Sequence, residues 1–153
     1  MKRIGSYFFI LAVVFSVAFF SCKKYPEGPS FSLITKKERL SNSWKIQQYK
    51  FNGADSTTFV KNFLLNNYKL AISKNGDYSI SYNVVIGIIS IPFTEAGTWV
   101  FSSDKKNVIF TKESGNTTAT VGTNSNWEIL KLKETELWAK FSQNNDVTEV
   151  HLN

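Results

Sequence analysis

Two side chains that chemistry often recruits occur once each in this sequence, Cys22 and His151. A single thiol and a single imidazole near opposite ends of the chain leave histidine-based nucleophilic triads and His/Cys metal clusters without their parts. His151 reads as an ordinary strand residue close to the C-terminus. The carboxylates Glu95, Glu113, Glu128, Glu134, Glu136, Glu149, Asp55, Asp77, Asp104 and Asp146 fall mostly in turns or beside lysines, where solvated surface charge is the default. Paired acid–base work needs a proximity that spacing along the chain does not supply. Glycine-rich phosphate loops are absent. The pattern points away from an enzyme, and no cofactor or metal is expected.

Cys22 has a context of its own. Met1-Lys2-Arg3 is basic, residues 7–20 are apolar apart from Ser16, and the run closes on Ala18-Phe19-Phe20-Ser21-Cys22. This arrangement resembles bacterial lipoprotein signal peptides, which are cut before a cysteine that then carries diacylglyceryl and N-acyl chains of the palmitate type. Phe19 stands where such motifs usually carry Leu. The resemblance implies a signal over residues 1–21, lipidation of Cys22, and a membrane as partner through that anchor. The competing reading is a transmembrane helix. The apolar run of 14 residues is short of the roughly 20 that a span needs.

Removing residues 1–21 takes Lys2 and Arg3 from the 18 basic residues and none of the 12 acidic ones, so the net charge falls from +6 to +4. That mild, dispersed excess argues against nucleic acid, whose binding shows as lysine and arginine gathered on one face. Lys23-Lys24 and Lys36-Lys37 are the clusters near the anchor. They read as solvated linker charges, with anionic head groups as the alternative contact. With its one cysteine acylated, an exported domain has no disulfide and must hold together by core packing. Of the 23 aromatic residues 6 lie in the signal, and the remaining 4 Trp, 5 Tyr and 8 Phe supply the material.

The elements that must position these residues follow from periodicity. Residues 22–32, with Pro26, Gly28 and Pro29, read as the lipidated cysteine and an extended linker that lifts the domain from the membrane. Thr35-Lys36-Lys37-Glu38 fits a capping box and predicts a short helix over 36–41. Phe59, Val60, Phe63 and Leu64 recur at helical spacing and predict a second helix within 56–67. Strands are predicted over 44–51, 68–73, 78–83, 98–102, 107–112, 127–133, 136–142 and 146–152, with Asn75-Gly76 as the strongest hairpin signal. Eight strands with tight connections and no crossover helix predict an all-β, eight-stranded antiparallel up-and-down barrel with a short N-terminal helix. Such a barrel removes exposed edges, and its interior either fills with side chains or holds one small ligand.

The order of a short helix, Trp44 on the first strand, Lys-Asn-Gly-Asp-Tyr at 74–78, Gly97-Thr98-Trp99-Val100-Phe101, and Trp127-Glu128-Ile129-Leu130 ahead of Leu137-Trp138 resembles the lipocalin-like domains of bacterial outer-membrane lipoproteins. The resemblance covers about residues 33–153. Lipocalins usually carry Gly two residues before the first-strand tryptophan, where this chain has Asn42. It implies a barrel that binds a small molecule as a class, with the ligand open.

Segment 84–93 departs from a plain barrel, because seven of its ten residues are Val, Ile or Phe. Three readings stand: a strand buried on both faces or a flap folded back on the barrel; an apolar entrance at the barrel mouth opposite Phe59–Leu64; or an exposed patch for a membrane or protein. Pro92 argues against a central strand at that point. Trp44 is expected to close one end of the barrel. If Tyr78, Ile80 and Tyr82 face inward, the two hydroxyls orient a ligand in an otherwise apolar cavity. Phe59, Phe63, Ile86, Ile88, Phe93, Trp99 and Trp138 complete the expected lining. The expected function is a lipid-anchored outer-membrane lipoprotein, facing the periplasm, that binds a small hydrophobic or amphipathic ligand. The alternative is a protein-interaction module of an envelope complex, with a filled barrel.

Overall fold

The computed structural model describes residues 25–26, 33–117 and 125–153. Cys22 and the apolar run before it lie outside the described residues. After Thr35 comes α1 (Lys36–Leu40), and its capping box is formed: the Thr35 hydroxyl accepts from the Glu38 N–H at 3.1 Å while the Glu38 carboxylate accepts from the Thr35 N–H at 3.1 Å. Two donors that a helix start leaves orphaned are thereby satisfied.

Ten strands follow: β1 (Ser43–Trp44), β2 (Ile46–Phe51), β3 (Ala54–Asp55), β4 (Asn66–Ile72), β5 (Asp77–Ile86), β6 (Ile89–Phe101), β7 (Asn107–Gly115), β8 (Asn126–Leu132), β9 (Leu137–Gln143) and β10 (Asp146–Leu152). All pair antiparallel in one sheet of order β1-β4-β5-β6-β7-β8-β9-β10-β2-β3, which curves into a half-barrel. The count exceeds the expected eight because the first strand is split at Lys45 and β3 adds a two-residue rung on β2. The split has a topological consequence. Trp44 sits opposite Leu70 of β4, whereas Tyr49 sits opposite Val150 of β10. Segment 43–51 thus carries ladders to both halves of the meander, and Lys45 and Asn153 exchange backbone hydrogen bonds at 2.9 and 3.0 Å beside the split.

The second helix differs from expectation. It begins as α2 (Thr57–Phe59) and widens into a π-helical turn (Val60–Leu64), closed by Leu65 N–H donating to the Val60 carbonyl at 2.7 Å. An i→i+5 turn does not keep the 3.6-residue stripe. Val60 and Leu65 are buried, while Phe59, Phe63 and Leu64 are exposed.

The core rests on period two. Tyr68, Leu70 and Ile72 of β4, Tyr78, Ile80 and Tyr82 of β5, Val108 and Phe110 of β7, Trp127 and Ile129 of β8, and Leu137, Ala139 and Phe141 of β9 are all buried. Tyr78, Phe110, Trp127 and Phe141 form a chain of ring contacts with centroids 4.9, 5.2 and 5.2 Å apart. Each such side chain contributes about 1.5–3 kcal/mol through its burial. Trp44 is fully buried, and its indole N–H donates to the Leu40 carbonyl at 2.9 Å, joining α1 to the sheet.

The meander has two ends. One holds α1 and the turns at 73–76, 102–106 and 133–136; the other holds the α2 region and the turns at 87–88 and 144–145. Asn75-Gly76 makes its hairpin with only Gly76 at positive φ (108°), whereas Asn144 and Asn145 are both positive, at 51° and 75°. The latter pair has the signs of a type I′ turn.

Candidate functional site

Segment 84–93 is neither a flap nor a central strand. Gly87 (φ 62°) and Ile88 form the turn of the β5–β6 hairpin, with Ile86 opposite Ile89 and Val84 opposite Ile91. Pairing of β5 with β4 ends at Asn83, and pairing of β6 with β7 begins at Glu95. Residues 84–93 therefore stand as a two-stranded ribbon beyond the sheet. Pro92 is tolerated there, since its position in β6 faces no third strand among the described residues. Ile86, Ile88, Ile89 and Ile91 are exposed, Ile88 completely. The signal in the sequence was Gly-X at the first turn position, which is the type II′ preference.

Below the ribbon, Phe93 stacks on Tyr82 with centroids 5.4 Å apart and planes 11° from parallel, and Tyr82 lies 6.4 Å from Tyr68. Deeper still, a polar group sits where alternation would put an apolar one. Glu95 is 2 % exposed. Its carboxylate accepts from the Tyr78 hydroxyl at 2.6 Å and from the Thr117 hydroxyl, and Lys112 donates to the Thr117 carbonyl at 2.7 Å. Glu95 shares the inward register of Phe93, Gly97 and Trp99. Sequence reasoning assigned it to the solvated surface and missed this step.

Burial, with the Glu95 hydrogen bond adding to it, pushes the Tyr78 phenol far above its ordinary range. Burial and then the Glu95 charge raise Tyr82. Tyr68 is raised most simply of all, by burial, with Glu95, Tyr82, Tyr78 and Tyr49 acting in the same direction. Its hydroxyl is buried and has no hydrogen-bond partner among the described residues. All three tyrosines are neutral donors at physiological pH.

Tyr68 also lines a pocket of about 390 Å³ beside β4 and the π-helical turn, with Leu65 and Ile46 as its other apolar members and Lys45, Lys61, Asn62, Asn66, Asn67 and Asn153 around it. That volume falls in the range of small-molecule sites. The pocket exists because β4 and β2 pair with different partners, so the seam between them is covered by the π-helical turn rather than by a ladder. None of its residues was among those the sequence suggested. The one available signal was the polar cluster Asn62, Asn66 and Asn67 beside an apolar helix face.

The expected lining is brought together only in part. Tyr78, Ile80 and Tyr82 face inward, Phe93 is half-buried on Tyr82, and Phe59 and Phe63 contact each other at 5.4 Å on the exposed side of the π-helical region. Ile86 and Ile88 belong to the ribbon. Trp99 is buried at the α1 end, where its N–H donates to the Ser73 carbonyl at 3.0 Å, far along β6 from the ribbon. Trp138 is not in the interior. Alternation sends Leu137, Ala139 and Phe141 inward and leaves Trp138 on the outer face, stacked on His151 with centroids 4.0 Å apart and with the Lys131 ammonium 3.9 Å from its ring centre.

The outer face carries two cross-strand ladders. Gln48, His151, Trp138 and Lys131 are successive partners, as are Lys50, Glu149, Lys140 and Glu128. His151 Nε2 lies 2.6 Å from the Glu149 carboxylate, which Lys50 also meets at 2.9 Å. The Lys50 contact holds the Glu149 carboxyl below its ordinary range against its partial burial, with His151 adding to the effect. Among the described residues no group of three His, Cys, Asp or Glu is placed to hold a metal ion, and no helix is long and apolar enough to cross a membrane. A scan of protein-family models and a search of curated proteins match nothing to this chain.

Proposed function

We propose that this chain is a lipid-anchored envelope protein of lipocalin-like type that binds a small amphipathic molecule. The reading is supported by segment 43–51, which as a single stave pairs through β1 with β4 and through β2 with β10, as an eight-staved barrel would require. The observation that carries the binding reading is Tyr68, which lines a 390 Å³ pocket and whose buried hydroxyl has no partner among the described residues. A buried donor left unpaired costs about 1–3 kcal/mol, and a ligand oxygen that enters from the pocket far enough to accept from it recovers that cost. Leu65 and Ile46 offer apolar contact, and the lysines and asparagines at the pocket edge suit a polar head.

The aromatic chain from Tyr78 to Phe141 fills the other part of the interior, so binding at the seam rather than through the middle of the barrel fits the packing. Native mass spectrometry of the protein purified without detergent tests the reading. An added mass that extracts into organic solvent and is lost in Tyr68→Phe supports it. A clean apo mass across preparations goes against it.

A second reading, a protein-interaction module, draws on the ribbon. An exposed, uncharged hairpin whose two edges meet no further strand among the described residues is the kind of surface that another chain covers. Co-purification of a stoichiometric partner lost in Ile88→Asp favours that reading.

A further inference from the structure

Residues 22–32 read as a free linker, yet Tyr25 is 2 % exposed. Its hydroxyl donates to the Lys105 carbonyl at 2.8 Å, and the Lys36 ammonium lies 4.4 Å from its ring centre. Lys105 belongs to the β6–β7 turn and Lys36 to α1, so Tyr25 is fastened to the α1 end of the barrel-like sheet. Three peptide steps separate it from Cys22, a reach of about 11 Å at full extension. Lengthwise, β5 alone carries the chain about 30 Å from the α1 end to the ribbon.

Resting on the lipoprotein reading above, we infer that Tyr25 holds the α1 end of the domain against the anchoring bilayer, so that the ribbon points away from it. The surface so presented is of mixed charge: Lys37, Lys105 and Lys106 are exposed at this end, Lys74 and Lys133 are exposed and ion-paired with Glu38 and Glu136, and Asp77, Asp104 and Glu134 are exposed beside them. Lys23 and Lys24 add two positive charges between the anchor and Tyr25. Exposed lysines near an anionic surface attract it, most strongly within a Debye length. The opposite end offers residues 84–93, which contain no charged residue. With the anchor at the α1 end, this apolar ribbon is kept off its own membrane and left available to whatever lies beyond.

The test uses the full chain, processed in cells and reconstituted in vesicles of zwitterionic and anionic phospholipid that contain spin-labelled quencher lipids. Incorporation of radiolabelled palmitate, absent in Cys22→Ala, is scored first. Lys106→Cys and Ile88→Cys are then labelled separately with a fluorophore, Cys22 being blocked by its lipid. The expected result is quenching several-fold greater at position 106 than at position 88, with the difference largely lost in Tyr25→Ala or after a flexible Gly/Ser insertion between Lys24 and Tyr25. The insertion leaves the docked tyrosine in place, so it tests the short tether even if Tyr25→Ala folds poorly. Acylated protein with equal quenching at both positions, or with quenching unchanged by the insertion, overturns the placement alone. Absence of acyl chains on Cys22 overturns the lipoprotein reading and the placement with it.

Discussion

The Tyr78 hydroxyl donates to the Glu95 carboxylate at 2.6 Å within the buried interior, tying β5 to β6 through a charge that sits where alternation calls for an apolar side chain. A hydrogen bond to a charged group contributes about 1.5–3 kcal/mol. Tyr78→Phe removes the donor and leaves the carboxylate less satisfied, so it is expected to lower unfolding free energy in urea by about 2 kcal/mol. Unchanged stability in Tyr78→Phe would show that the bond contributes nothing net.

Tyr68→Phe is expected to behave in the opposite way. Its hydroxyl has no partner among the described residues, and its removal deletes a desolvated donor without disturbing the ring. The free protein should be as stable as before or slightly more so, while an amphipathic ligand that uses the hydroxyl should bind about tenfold more weakly. Thermal unfolding with and without the extracted ligand separates the two effects. A destabilised free variant would mean that the hydroxyl is satisfied in the native state.

Gly97 and Gly87 should respond very differently to alanine. A Cβ at Gly97 would lie 2.0 Å from the Thr111 carbonyl oxygen, across the irregular step where β6 meets β7. The nearest atoms are all β7 backbone, of Thr111 and Lys112, with no flexible side chain to give way, and Gly97→Ala is expected to cost about 3 kcal/mol or more. At Gly87 nothing lies within 4 Å, and only its φ of +62° opposes a side chain. Gly87→Ala should cost about 1–2 kcal/mol. Urea midpoints of the two variants check the order.

Asp55 links stability to pH. The Thr57 hydroxyl, followed by the Gln48 amide and the Thr57 N–H, holds its carboxyl down at about 2. A carboxyl lowered in the folded state stabilises it fully above the unfolded value and loses that contribution as pH falls through the folded value. The Asp55 share should therefore fade between about pH 4 and about pH 2. Carboxyl-resolved NMR should place its midpoint near the lower bound, and Asp55→Asn should flatten the acid limb of the stability curve. A midpoint at the ordinary carboxylate value would contradict these hydrogen bonds.

Much of the fold is legible from local rules. The capping box at Thr35 and Glu38, the Asn75-Gly76 hairpin, the alternation Tyr78-Ile80-Tyr82 and the burial of Trp44 depend on neighbours within a few residues, or on a simple period. Misreadings arose where a local pattern had two solutions. Phe59, Val60, Phe63 and Leu64 make one stripe at 3.6 residues per turn, but the i→i+5 bond from Leu65 to Val60 turns most of them outward. Trp138 and Phe141 belong to one strand, and register alone decides which of them enters the core.

The sequence by itself determined an antiparallel all-β chain, its order of strands, and a cysteine in a setting that resembles a lipidation site, because period, turn chemistry and processing patterns are written in contiguous residues. Tertiary structure decided the rest. It placed Glu95 beside Tyr78, opened a pocket over Tyr68 at the seam between β2 and β4, and docked Tyr25 onto the turn at Lys105. Those pairings join residues 17 to 80 positions apart, and the free energy that selects them comes from burying groups that only the folded sheet brings together.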